Sequence, residues 1–202
     1  MSSPSVLRSW SLPAILALLA IAMALGGDDA THSFRYERDA ILQGEWWRVV
    51  TGHLPHLGWS HLALNLAGLA LVWLLAGRAL HPLEWTFVLG VTALLNGLAL
   101  LAFMPSLTWY VGLSGVLHGL LLAGSLAAWR GGQRDALFIV ALVGLKLIWE
   151  QVFGPVPGAA GMAGGPVVVE AHAYGAVGGV IAFLLVLTRR LVRRTDCHRP
   201  PS

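Results

Sequence analysis

Charge is scarce in this chain. Only 11% of its 202 residues are Asp, Glu, Lys or Arg, whereas 56% are hydrophobic, and the mean hydropathy is +0.71. A soluble domain of this length cannot hide so much apolar surface, so lipid must be the solvent for most of it. Cysteine is nearly absent. The single Cys197 excludes an intramolecular disulfide framework and reads as a free thiol. No HExxH pair and no cluster of carboxylates occurs, which removes the usual signature of a zinc hydrolase. The apolar runs are continuous, not alternating, and this excludes bilayer-spanning strands.

What is present is six apolar segments, at about 10–25, 62–79, 85–104, 113–129, 136–153 and 172–187. Each is near the roughly 17–25 residues that a spanning helix needs. They predict one all-α membrane domain over 1–202, a bundle of six transmembrane helices. Positive charge sets its orientation. With the N-terminus inside, the cytoplasmic segments hold Arg8, Arg78, Arg130, Arg134 and a basic tail, 188–202, with Arg189, Arg190, Arg193, Arg194 and Arg199. The outer side holds only Arg35, Arg38 and Arg48, diluted by five acidic residues from Asp28 to Glu45. Both termini are therefore expected in the cytoplasm. The net charge of +3 and the pI near 9.6 point to anionic lipid headgroups as neighbours, not nucleic acid. A cleaved signal peptide is a second reading of Arg8 and residues 12–25, but the segment is long enough to stay as a helix. The outer loop 26–60 carries Trp46, Trp47 and Trp59, a pattern of headgroup anchoring. The second outer loop, 154–170, is rich in Gly, Pro and Ala and reads as a mobile cover.

Parity places the conspicuous polar residues together. Helices two, four and six all enter the membrane from the outer face, and they open with His61, Leu113-Ser114 and His172. All three polar side chains thus fall at one depth. Helix four carries Gly115 and Gly119, and helix six carries Gly175 and Gly179. Such small-residue pairs let helix backbones approach closely in lipid. Close packing would bring the His172 imidazole within reach of the Ser114 hydroxyl, a poor nucleophile until a base takes its proton. The bland reading is that Ser114 caps its helix and His172 bridges the bundle.

No Asp or Glu is placed in the sequence as an obvious third member. Glu170, two residues from His172, points elsewhere on a helix. The expectation is a Ser-His dyad. His61 and Asn65, four apart on one helix face, could serve a developing oxyanion together with the Ser114 amide, or could clamp helices. His118, one turn below Ser114, reads first as a structural bridge. Lys146 and Glu150 read as a local ion pair. His53, in the loop ahead of helix two, and His32, His81 and His198 have no partner that the sequence names.

Glu45-Trp46-Trp47-Arg48, His61-xxx-Asn65, Gly112-x-Ser114-Gly115 and Ala171-His172-xx-Gly175-xxx-Gly179 together resemble the rhomboid intramembrane serine proteases, over about 46–187. The resemblance implies that Ser114 is the nucleophile and His172 the general base, with His61 and Asn65 in the oxyanion hole. It implies that His56 supports the same region and that Trp47 and Arg48 form a structural pair in the first loop. It also makes helix five and the loop after it the substrate gate. The run Gly112-Leu113-Ser114-Gly115-Val116-Leu117-His118-Gly119 is similar to the rhombosortases of Gram-negative bacteria. That implies a site-tuning role for His118 and a place in the bacterial inner membrane, with the active site near the periplasmic face and no cofactor. Its substrates would be secreted proteins with a C-terminal Gly-Gly, apolar and basic tail, processed with or without transfer to an acceptor.

The rival class is a membrane protein that holds a metal or haem through His56, His61, His118 and His172. The glycines around Ser114 have no purpose there. A catalytically inactive rhomboid-like scaffold is a third reading, and the intact serine and histidine argue against it.

Overall fold

The structure is a computed structural model and describes residues 10–196; Arg8, Cys197, His198 and Arg199 lie outside the described residues. Among the described residues ten helices follow one another as α1 (Ser11–Leu25), α2 (Gly27–Phe34), α3 (Arg38–Leu42), α4 (Arg48–Thr51), α5 (Trp59–Ala76), α6 (Pro82–Phe103), α7 (Ser114–Arg130), α8 (Ala136–Phe153), α9 (Ala159–Ala163) and α10 (Val169–Asp196). Four of them, α5, α6, α8 and α10, are long and apolar enough to cross a membrane, and the chain is a multi-pass membrane protein. The pair α1 and α2 meets the same criterion together, bent by 118°. That bend falls at Gly26-Gly27, where Gly27 adopts φ +63° and the apolar run gives way to Asp28 and Asp29.

The sixth expected span is α7. At 17 residues it rises only about 25 Å, less than a bilayer core of about 30 Å. Yet α7 is buried along most of its length and packs on α5, α6, α8 and α10. This central position sets Ser114, at the head of α7, among the helices of the bundle.

Glycine makes the most extensive helix contact, α7 against α10. A methyl group at Gly175 would overlap the Gly115 carbonyl, and one at Gly179 would overlap the Gly119 backbone. The two backbones touch there because no side chain intervenes. Below them a cluster built on Trp73, Trp85, Leu120 and Phe183 fills the space between α5, α6, α7 and α10. Helix α6 starts at Pro82 behind a capping box of His81 and Glu84, and Glu84 also pairs with Arg190 of α10.

Three expectations need correction. The segment 26–60 is not an open loop: it folds into α2, α3, α4 and the strand β1 (Tyr36–Glu37). That strand pairs antiparallel with β2 (Trp109–Tyr110), Tyr36 opposite Tyr110, so the fold is not purely helical. The last helix does not stop at 187 but runs from Val169 to Asp196, into the expected basic tail. Arginine stems cover apolar surface while their heads reach out, so basic residues do not end a membrane helix. Helix α5 begins at Trp59, before His61, so His61 lies within its first turn.

Candidate active site

Ser114 is the first residue of α7, and the turn before it explains its exposure to the site. Gly112 adopts φ +124°, and a Cβ there would lie 2.7 Å from the His61 ring. Glycine is required on both counts. The turn is tied down by the Tyr110 hydroxyl, which donates to the Gly112 carbonyl at 2.9 Å, and by the Gly112 amide, which donates to Gly52.

Ser114 Oγ lies 2.9 Å from His172 Nε2, the imidazole rising from the first turns of α10. The other ring nitrogen, Nδ1, lies 2.9 Å from Glu150 Oε2 of α8. A carboxylate only accepts, so Nδ1 carries the proton and Nε2 is left to accept from the serine hydroxyl. This is the tautomer that a general base needs. The imidazole thus has a carboxylate partner that the expected dyad did not include, Glu150 of α8 and not Glu170. Glu150 is 2% exposed. Helix α8 buries Ala136, Val143 and Glu150, spaced by seven, while its other faces are largely open to lipid. That spacing was the available signal: an acid on the inward stripe of a lipid-facing helix has to find its partner in the bundle. The expected pairing with Lys146 is also present, at 2.7 Å to Oε1.

His61 Nδ1 accepts from the Leu57 amide at 3.3 Å, which leaves the proton on Nε2. Asn65 is buried and donates to the His61 carbonyl at 3.0 Å, with a second amide proton still to give. Ser114, His61 and Asn65 share one cavity of about 320 Å³, lined also by Leu117, His118 and Lys146. A second cavity of about 310 Å³, lined by Leu57, Thr108 and Tyr110, also reaches Ser114 and His61. Ala163 and Val167 border both cavities, so the Gly-rich segment after α8 forms part of the wall beside the serine. An extended chain passing from one cavity to the other would pass Ser114.

His56 packs edge-on against His61, ring centroids 5.0 Å apart. His53, unpartnered in the sequence reading, donates from Nε2 to the Ala93 carbonyl at 3.0 Å and meets Tyr110 edge-on. Both lie in the loop between α4 and α5, and burial pushes both imidazoles down to about 4, so they are neutral at pH 7. His118 stacks on His172 with centroids 4.4 Å apart, and donates from Nδ1 to the Ser114 carbonyl at 2.8 Å. Arg48 bonds to Glu45 and to the carbonyls of His32 and Arg35, lacing the first loop, while Trp47 is exposed beside it.

The four histidines of the metal reading do not converge. Among the described residues, the group whose ligand atoms do converge is His118, Glu150 and His172, within 4.8 Å. The Lys146 ammonium already lies 3.0 Å from His118 Nε2 and 2.7 Å from Glu150, and a fixed cation there opposes a divalent one.

A Ser-His-Glu chain whose imidazole and carboxylate are buried, with donors lining the same apolar cavity as the hydroxyl, is suited to acyl transfer. The model of the Rhomboid domain matches residues 43–189, nearly three-quarters of the sequence. The chain belongs to the rhomboid family, whose members are intramembrane serine proteases acting on transmembrane substrates.

Proposed function

We propose that this protein is an active intramembrane serine endopeptidase of the rhombosortase kind. Ser114 attacks the scissile carbonyl as His172 Nε2 takes its hydroxyl proton. The Oγ–C bond forms, and the oxyanion takes hydrogen bonds from His61 Nε2–H, the Asn65 amide and the Ser114 backbone N–H. His172 then gives its proton to the leaving nitrogen as the C–N bond breaks. Water, or the amine of an acceptor, releases the acyl group by the reverse sequence. Glu150 holds the imidazole in the required tautomer throughout.

The observation that carries this reading is the 2.9 Å contact of Ser114 Oγ with His172 Nε2, inside an apolar cavity. The topology that goes with it has six spans, both termini in the cytoplasm, and the site near the periplasmic face of a bacterial inner membrane. The grouping of Arg78, Arg130, Arg134 and Arg189 in the segments opposite the serine supports that orientation. The substrates are secreted proteins held by a C-terminal tail of Gly-Gly, an apolar helix and a basic end, and His118 four residues after Ser114 supports this narrower class. Purified protein in liposomes should cleave a reporter with such a tail next to Gly-Gly. Replacing Gly-Gly with Leu-Leu should abolish cleavage; equal cleavage of both would leave a rhomboid protease without this specificity.

A further inference from the structure

Lys146 and His118 are left over by the reaction just described, yet both are built into its site. The Lys146 ammonium reaches Glu150 Oε1 at 2.7 Å and His118 Nε2 at 3.0 Å. His118 Nδ1 reaches the Ser114 carbonyl at 2.8 Å, and its ring lies over His172, 22° from parallel. Ser114, His172, Glu150, Lys146 and His118 therefore form a closed ring of contacts, with α7, α8 and α10 each contributing.

Donor and acceptor chemistry fixes the protons of that ring. An ammonium can only donate, so His118 Nε2 must be bare. A carbonyl can only accept, so His118 Nδ1 must carry the hydrogen. His118 is thus neutral and held in one tautomer by two partners of opposite kind. Lys146 also occupies the Glu150 oxygen that His172 does not use, which turns Oε2 toward Nδ1. Its fixed charge balances the buried carboxylate, a group that is costly to leave alone in an apolar site.

We propose that Lys146 and His118 are positioning residues for the catalytic pair, the ammonium orienting Glu150 and locking His118 as the neutral face on which His172 rests. When Ser114 gives up its proton, the His172 ring becomes a cation between a carboxylate and a neutral, polarisable ring. A neutral neighbour tolerates that cation; a protonated His118 would repel it. The proposal rests on the serine protease reading and says how its base is held.

Nitrogen NMR of ¹⁵N-histidine protein in lipid tests it. In the wild type, His118 should show one bare nitrogen and one protonated nitrogen, in a single tautomer. In K146M the signal of the bare His118 Nε2 should shift as it loses its ammonium donor, and kcat should fall about 10-fold or more with KM nearly unchanged. H118F keeps a ring against His172 but loses both bonds, and K146M/H118F should lose no more than about the worse single variant, because the two act as a unit. An unchanged His118 spectrum in K146M, or single-variant losses that simply multiply, would overturn the proposal. Fluorophosphonate labelling of Ser114 in the wild type separates the two levels: its absence would overturn the protease reading itself.

Discussion

The carboxylate of Glu150 and the imidazole of His172 meet at 2.9 Å across two helices, α8 and α10, both partners almost fully buried. This contact sets which nitrogen of His172 faces Ser114. In E150Q the amide is nearly isosteric, but it can present an N–H to Nδ1 and favour the wrong tautomer. The expected result is a loss of kcat of about 10²–10⁴-fold with little change in KM, by analogy with the orienting carboxylate of serine protease triads. Steady-state cleavage in lipid measures it, and a wild-type kcat would remove Glu150 from the site.

The turn at Gly112 predicts a second loss. G112A forces an L-residue to φ +124° and drives a methyl group into the His61 ring. Stability should fall by about 1–3 kcal/mol, and the displaced His61 should lower kcat as well. A thermal melt and a cleavage assay on the same preparation check both.

Helix packing gives a paired prediction. G179V places a side chain into the Gly119 backbone and should lower Tm, at a cost of about 1–3 kcal/mol or more. G144A, on α8, meets nothing within 4 Å and should leave Tm unchanged or slightly raised. Equal effects of the two would contradict the α7–α10 contact.

Stability should also depend on acid. His53 and His56 bind protons at about 4 in the fold, against 6.5 for the free side chain, because burial disfavours the charged ring. Their contribution is complete above pH 6.5 and is lost as pH falls from 6.5 toward 4, by up to about 1.4 kcal/mol per unit for each histidine. Melting temperatures between pH 7.5 and 4.5 should fall across that window. H53F, which cannot protonate, should flatten part of the decline.

Ser114, His172, His61 and Asn65 were visible in the sequence because each interrupts or heads an apolar run, and helix parity alone sets them at one depth. Gly115, Gly119, Gly175 and Gly179 were visible for the same reason, as small residues at helical spacing in lipid. Glu150 was not. Its neighbour Lys146 offered a complete local explanation, and its bond to His172 joins two helices through rotations that spacing does not state. His118 had the same difficulty, since its stack and its ammonium partner are both tertiary. The pairing of Tyr36 with Tyr110 was equally hidden, being two residues long and joining segments more than seventy positions apart. The overrun of α10 past 187 has a different cause: Arg189, Arg190 and Arg193 read as tail by charge, whereas the backbone of a helix is indifferent to where its side chains snorkel.

The most direct measurement is fluorophosphonate labelling of the purified protein in lipid, with the modified peptide identified by mass spectrometry. Label on Ser114 in the wild type, abolished in S114A and strongly slowed in H172A, is the expected result. Label that persists in S114A, or a wild-type protein that takes none while correctly folded, would contradict a serine nucleophile at the head of α7.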